Sequence, residues 1–169
     1  MLDVKKFCHA REQLTQLFSV SAMARVQELC NTRADNVEAT LEMEGDLDYQ
    51  GLLVLKGRVT ASLPLICQRC MKPVQYRISS KFLVSPVADE AQAKMLPRDY
   101  EPLFLTHDEL DLARLVEDEI ILSIPVTPMH DINACEVKEQ HWSFGEEGAQ
   151  SRGPNQFSEL EKLNTKKRR

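Results

Sequence analysis

The stretch LKGRVTASLPLICQRCMKPVQYRISSKF, residues 55–82, decides the fold. It contains two runs in which apolar and polar side chains alternate, joined by a short link with two cysteines. Alternation over this length is typical of strands that bury one face and expose the other. Val59 and Leu63 are expected to point inward, while their neighbours face solvent. The two runs therefore predict paired antiparallel strands with Cys67 and Cys70 in the turn between them.

A third alternating run precedes this pair. Val37, Ala39, Leu41 and Met43 point one way, and the acidic or hydroxyl residues between them point the other. Three strands within about residues 37–84, with short links, predict an antiparallel arrangement with one covered and one wet face. We expect an α+β fold: an antiparallel β meander, small barrel or sandwich, packed with two or three helices.

The first part of the chain is expected to be helical over about residues 3–34. Ser21 can cap a helix over about residues 22–33, in which apolar residues recur at helical spacing. Residues 85–105 contain three prolines and many acids. They are expected to form an irregular connection rather than a packed element.

A second helix is expected over about residues 107–123. Thr106 and Glu109 have the spacing of a capping box, and Pro125 must end the helix. The acids at positions 117–119 point in different directions on a helix, so a solvated face is expected rather than an ion site.

The chain is expected to divide near residue 144. Residues 1–144 are expected to form one α+β domain, and residues 145–169 a linker, a short amphipathic segment and a basic tail. A helix as short as FSELEKL is marginal on its own, because isolated helices below about 12 residues are unstable in water. The tail is therefore predicted to be flexible and to order on a partner.

The basic residues are concentrated in two parts of the chain, which suggests candidates for RNA binding. The net charge is −5, but residues 56–81 hold six basic residues and no acid. The RNA-binding candidates are Lys56, Arg58, Arg77 and Lys81 on the outward strand faces, and Lys166, Lys167, Arg168 and Arg169 in the tail. The alternative is internal pairing, in which Glu38, Glu42 and Glu44 neutralise Lys56 and Arg58 across strands. The residues alone leave both alternatives open.

Cys67 and Cys70 allow three interpretations: zinc ligands, a redox pair or inert thiols at a turn. A closed zinc site needs two more ligands, for which His130 and Cys135 have suitable type and spacing. A redox pair favours a helix N-terminus, whereas this pair precedes a strand. A thiolate near neutral pH in metal-free protein would favour the redox alternative.

No apolar run approaches the about 18 residues that span a bilayer, so a cytoplasmic protein is expected. Five unevenly spaced cysteines are expected to stay reduced. The chain has neither a nucleophile elbow nor a phosphate loop, and no enzymatic activity is expected. A bulk attraction to DNA is not expected from the negative net charge.

Four segments together resemble one bacterial family, the YceD family of large ribosomal RNA subunit accumulation proteins. They are ICQRCMKPV, FLVSPVADEAQAKMLPRDYEP, ELDLARLVEDEIILSIPVTPMHDINAC and PNQFSELEKL. The similarity runs from about Leu52 onward. It implies a non-enzymatic role in 23S ribosomal RNA synthesis, processing or stability.

The resemblance also implies partners. These are 23S ribosomal RNA or large-subunit assembly intermediates, and a basic ribosomal protein that the acidic segment 108–119 could bind. The alternative function, from the residues themselves, is a thiol-based oxidoreductase that uses Cys67 and Cys70.

Overall fold

The computed structural model describes residues 1–30, 36–105 and 107–137. All of them belong to one compact unit, Met1–Lys138. The elements are β1 (Leu2–Asp3), α1 (Val4–Ala10), β2 (Gln13–Ser19), α2 (Ala24–Leu29), β3 (Glu38–Leu47), β4 (Leu53–Ile66), β5 (Pro73–Val87), α3 (Glu90–Met95), β6 (Glu101–Phe104), β7 (Glu109–Leu110) and α4 (Leu112–Ser123).

One five-stranded sheet in the order β2-β3-β4-β5-β6 organises these elements, and β1 pairs with β7 in a small second sheet. The first four strands of the main sheet form an antiparallel meander. β6 joins it by parallel pairing with β5. The predicted α+β class, with an antiparallel meander packed with helices, is confirmed.

The helices α1, α2 and α4 lie over one face of the sheet, which we call the inner face. Leu41, Val59 and Leu63 point into this layer and are fully buried, as their alternation predicts. Val116 and Ile120 of α4 are also fully buried in the same core. The opposite side, which we call the outer face, carries the polar residues of the alternating runs.

Gly57 permits one close approach on the inner face. It lies directly opposite Phe82 in the β4–β5 pairing. A Cβ atom at this position would lie 2.3 Å from the Phe82 ring and 2.8 Å from the backbone oxygen of Glu42. The absence of a side chain therefore lets the aromatic ring cover the strand at this point.

A helical N-terminal part was expected over about residues 3–34, but this part of the chain is not continuously helical. It contains β2, whose Leu14 and Phe18 pack partly buried against the core. Ser21 lies in a 3-10 turn, and α2 is only six residues long with Met23 as its N-cap. In β2, alternate backbone N–H and C=O groups form hydrogen bonds with β3. This pairing replaces the hydrogen bonds that a longer helix would have formed within itself.

Residues 85–105 are also more ordered than expected. Asp89 caps α3 by accepting a 2.8 Å hydrogen bond from the N–H of Gln92. β6 then pairs with the end of β5, with Pro102 opposite Ser85. A proline is tolerated there because β6 is an edge strand.

The second helix begins later than expected, at Leu112, and ends at Ser123 before Pro125, as predicted. Asp111 caps it by accepting hydrogen bonds from the N–H groups of the second and third residues that follow. His107 and Asp108 adopt positive φ angles of 67° and 57°, which interrupt a helix.

The acids of α4 do not form a simple solvated face. The Glu117 carboxylate accepts hydrogen bonds from the Arg25 backbone and guanidinium, and Asp118 binds the same guanidinium. Glu119 accepts a 2.6 Å hydrogen bond from Ser80 on β5. These carboxylates therefore join α4 to α2 and to the sheet.

The described residues contain no helix long and apolar enough to cross a membrane. All five cysteines are free thiols. The domain boundary near residue 144 and the flexible tail stay predictions, because residues 138–169 lie outside the described part of the chain.

Candidate metal centre

The tip of the β4–β5 hairpin forms a tight turn that holds its two cysteines close together. The N–H of Cys67 donates to the carbonyl of Lys72 at 2.9 Å, and the N–H of Met71 donates back to the carbonyl of Cys67 at 2.8 Å. Met71 takes a left-handed conformation, with φ of 58°, to close the turn. The thiols of Cys67 and Cys70 are left on the side that faces the segment after α4.

That segment, residues 128–135, docks onto the tip mainly through backbone groups. The N–H of Gln68 donates to the carbonyl of Pro128 at 2.8 Å, and the N–H of His130 donates to the Cys67 sulfur at 3.4 Å. The N–H of Cys135 donates to the carbonyl of Asp131 at 3.0 Å, which turns the chain back towards the tip.

The result is a cluster of the four residues that the sequence analysis named. One ligand atom from each of Cys67, Cys70, His130 and Cys135 lies within 4.8 Å of the other three. The Cys70 sulfur and the Nδ1 atom of His130 are 3.3 Å apart. Cys67 and Cys135 are buried, and Cys70 and His130 are half-buried.

The orientation of the His130 ring suits metal binding through Nδ1. Its Nε2 atom lies 3.1 Å from the carbonyl oxygen of Pro73. A carbonyl only accepts hydrogen bonds, so Nε2 carries the proton in this contact. In the neutral ring Nδ1 then offers its lone pair to the cluster, which is the arrangement by which a second hydrogen bond orients a ligating histidine.

The hydrogen bonds at the tip also change the acidity of the thiols. Burial raises the pKa of Cys67, but hydrogen bonds from the backbone N–H groups of His130, Cys70 and Arg69 outweigh this effect and lower the pKa to about 5. Burial raises the pKa of Cys70, and the neighbouring thiols of Cys67 and Cys135 raise it further. The hydrogen bonds at the tip therefore favour ionisation of Cys67 over that of Cys70.

This donor set fits zinc. Three sulfurs and one imidazole nitrogen form a common tetrahedral structural site, with Zn–S bonds of about 2.3 Å and Zn–N bonds of about 2.0–2.1 Å. Sulfurs around such an ion lie about 3.8 Å apart. The four atoms already lie within 4.8 Å of one another, so zinc binding would draw the most distant of them about 1 Å closer together.

The redox alternative gains from the lowered pKa of Cys67 but not from its position. Cys67 is fully buried, with no exposed surface, so an external disulfide cannot reach its sulfur without local opening. The two additional donors, His130 and Cys135, also have no role in a two-cysteine redox exchange. The geometry favours a metal site.

Charged residues near the cluster also join the hairpin tip to the chain that follows α4. The ammonium of Lys72, on the tip, forms an ion pair with the carboxylate of Glu136. The Arg69 guanidinium contacts the Met129 sulfur at 3.7 Å. The sequence does not indicate these contacts or the role of the Pro73 carbonyl, because neither a backbone oxygen nor a single surface charge has a recognisable spacing.

The four RNA-binding candidates on the strands are not part of this cluster. Lys56, Arg58, Arg77 and Lys81 all lie exposed on the outer face. Arg58 and Cys67 are nine positions apart on the same strand run, which corresponds to about 30 Å. Lys166, Lys167, Arg168 and Arg169 lie outside the described residues.

The outer face contains both of the arrangements that the sequence left open. Glu44 lies opposite Lys56 and forms a 2.9 Å ion pair with it. Glu42 lies opposite Arg58 on one side, but Lys81 lies opposite Arg58 on the other. One candidate is therefore neutralised, while two cations stand side by side.

A shallow groove of about 750 Å³ crosses this part of the outer face. Its charged lining comprises three cations and four carboxylates: Lys56, Arg58, Lys81, Glu42, Glu44, Asp99 and Glu101. Arg77 does not line this groove. It lies opposite Ser62, in a row of hydroxyl and basic side chains nearer the hairpin tip.

The fold and the cluster define an α+β protein with an open sheet face and a candidate Cys3His metal centre at its hairpin tip. The sequence profile of the family described as "Large ribosomal RNA subunit accumulation protein YceD" matches residues 55–164. A protein of that name from Haemophilus influenzae is 36% identical over 169 residues, covering 98% of this chain and 95% of the relative. The chain belongs to the YceD family. No solved structure matches it.

Proposed function

We propose that this chain is a cytoplasmic, non-enzymatic factor that supports the accumulation of 23S ribosomal RNA. The observation that carries the proposal is the match, over nearly the whole of both chains, to a relative named for large ribosomal RNA subunit accumulation. It acts by binding 23S ribosomal RNA or a large-subunit assembly intermediate.

The outer face is the proposed RNA contact. Arg58 and Lys81 are exposed and directly opposite each other. Like charges in this position repel, and a bound phosphate relieves that repulsion. Arg77 beside Ser62 adds a further cation and a hydroxyl group for the sugar-phosphate backbone. The basic residues 166–169 are proposed as a second contact.

RNA is preferred here to a basic ribosomal protein that binds the acidic segment 108–119. Several carboxylates of that segment already have internal partners. Asp108 pairs with Lys5, Asp111 caps α4, and Glu117 holds Arg25. A basic partner would have to compete with these contacts.

The metal centre has a structural role in this proposal. Zinc held by Cys67, Cys70, His130 and Cys135 would tie the hairpin tip to the segment after α4. It thereby fixes the end of the sheet from which the outer face extends.

Gene deletion and cross-linking in living cells together test the function. Cells that lack the gene should show a reduced ratio of 23S to small-subunit ribosomal RNA, and the intact gene should restore this ratio. RNA cross-linked to the purified chain should be enriched in 23S sequence. Replacement of Arg58, Arg77 and Lys81 by glutamine should reduce both signals, whereas Lys5→Gln should not. A normal ratio in the deletion strain would refute the proposal.

A further inference from the structure

β2 is the first strand of the main sheet, so one of its edges faces away from β3. Gly45 donates its N–H to the carbonyl of Glu12, and Val20 donates its N–H to the carbonyl of Val37. Hydrogen-bonded positions alternate along antiparallel strands, so the backbone groups of Leu14, Gln16 and Phe18 face β3. Those of the odd-numbered residues 13–19 point away from the sheet.

Among the described residues, no strand pairs with this edge. Edge strands are usually protected by charge, proline or a bulge. β2 has the sequence QLTQLFS and a continuous register with β3, so it contains none of these devices. The opposite edge, β6, has Glu101 and Pro102. The two edges of the sheet are therefore protected differently.

We propose that β2 pairs antiparallel with β2 of a second copy of this chain, about a two-fold axis at Gln16. In this register Thr15 lies opposite Leu17 of the other copy, and Gln13 lies opposite Ser19. Each of these residues directs its N–H and its carbonyl to the edge, so every pair exchanges two hydrogen bonds. The two five-stranded sheets become one continuous sheet.

The side chains favour a second copy as the occupant because the strand is complementary to itself. On the inner face Leu14 meets Phe18 of the other copy, and Gln16 meets its own equivalent. On the outer face Leu17, which is 57% exposed, packs beside Thr15. No ionisable group lies within the paired segment, in a chain whose residues are 28% charged.

Repulsion between the two sheets is also small. The nearest row of carboxylates, on β3, stays one strand back from the interface. The two β3 strands would lie about 14 Å apart, three strand spacings, which exceeds the about 8 Å Debye length at physiological salt. A single seven-residue pairing is a small interface, so the dimer should be weak and should depend on concentration.

A disulfide test reports the register directly. Gln16 lies opposite itself at a non-hydrogen-bonded position, where Cα atoms are about 4.5 Å apart, within the range that a disulfide spans. The full-length Gln16→Cys variant should therefore give a reducible covalent dimer under mild oxidation. Gln13→Cys, in the same strand but distant from its own equivalent, and the unmodified chain should not.

Sedimentation supplies the second measurement, over total concentrations from about 1 µM to about 1 mM. The unmodified chain should pass from monomer to dimer, and Leu17→Lys should raise the dissociation constant by about tenfold or more. Leu122→Lys, at an exposed residue of α4, should leave it unchanged. A monomer throughout this range, or equal cross-linking of Gln16→Cys and Gln13→Cys, would overturn the proposal. Loss of dimer in Leu122→Lys but not in Leu17→Lys would also overturn it.

Discussion

The sulfur of Cys70 lies 3.3 Å from Nδ1 of His130, although 60 positions separate the two residues. The contact joins the tip of a hairpin to the chain after the last described helix. The backbone already docks the two segments through Gln68 and Pro128. A metal at this point would therefore bind a site that the fold has largely arranged.

Zinc removal should destabilise the protein. Free zinc at a thousandfold above its dissociation constant contributes about 4 kcal/mol to stability. For a chain of this size that corresponds to about 8–16 °C in Tm. Calorimetry with and without chelator measures the difference.

Ligand replacement provides the matched control for this effect. Cys70→Ser should lose the bound metal and the response to chelator, whereas Cys30→Ser, at a buried thiol outside the cluster, should keep both. Equal metal content in the two variants would be inconsistent with the proposed ligands.

Gly57→Ala should destabilise the sheet. The added methyl group would lie 2.3 Å from the Phe82 ring and 2.8 Å from a backbone oxygen, so the strands would have to shift. Overpacking of this kind costs about 1–3 kcal/mol. Denaturant unfolding measures it, with Thr60→Ala on the outer face of the same strand as control. A Gly57→Ala variant as stable as the control would show that the ring can move aside at little cost.

The β4–β5 hairpin could be predicted from the sequence, whereas the strands β2 and β6 could not. Alternation around residues 55–82 identifies the buried side chains, because a strand has only two faces. The sequence does not predict β2, because Leu14 and Leu17 are three positions apart, a spacing that also suits a helix. Pairing with β3 determines that this segment is a strand. The sequence does not predict β6 either, because it contains Pro102. Proline occurs in sheets mainly on edge strands, and the sequence alone does not show that this segment lies at an edge.

The candidate site was predictable in its ligands but not in its assembly. Residue type and local spacing select the two cysteines of the tip, with His130 and Cys135 as the remaining donors. The docking of the segment depends on backbone groups such as the Pro128 carbonyl, which are the same in every residue. Which of these backbone groups form hydrogen bonds depends on the path of the chain after α4, and no local sequence pattern predicts that path.

Glu117 should contribute more to stability than Asp118. Glu117 is 15% exposed and accepts hydrogen bonds from three nitrogens of Arg25, whereas Asp118 is 46% exposed and accepts one. At about 2–4 °C per kcal/mol, Glu117→Ala should lower Tm by several degrees and Asp118→Ala by about a degree or less. Thermal melts of the two variants make the comparison. Equal losses would mean that the helix contact does not depend on the more buried carboxylate.

RNA binding by the outer face should appear in the salt dependence. Each lost phosphate contact lowers the slope of log K against log salt by about 0.7–0.9, so Arg58→Gln with Arg77→Gln should flatten it by about 1.5. Lys56→Gln should change it less, because Glu44 already pairs with Lys56. Filter binding to 23S fragments at several salt concentrations gives the slopes. An unchanged slope in the double variant would favour cross-strand pairing as the role of these cations.

X-ray absorption at the zinc edge of the full-length protein, as purified from cells, tests the metal centre most directly. The four residues of the cluster predict one zinc per chain, with three sulfur neighbours at about 2.3 Å and one nitrogen neighbour at about 2.0–2.1 Å. A protein without stoichiometric metal, or a zinc surrounded only by oxygen and nitrogen, would contradict the account.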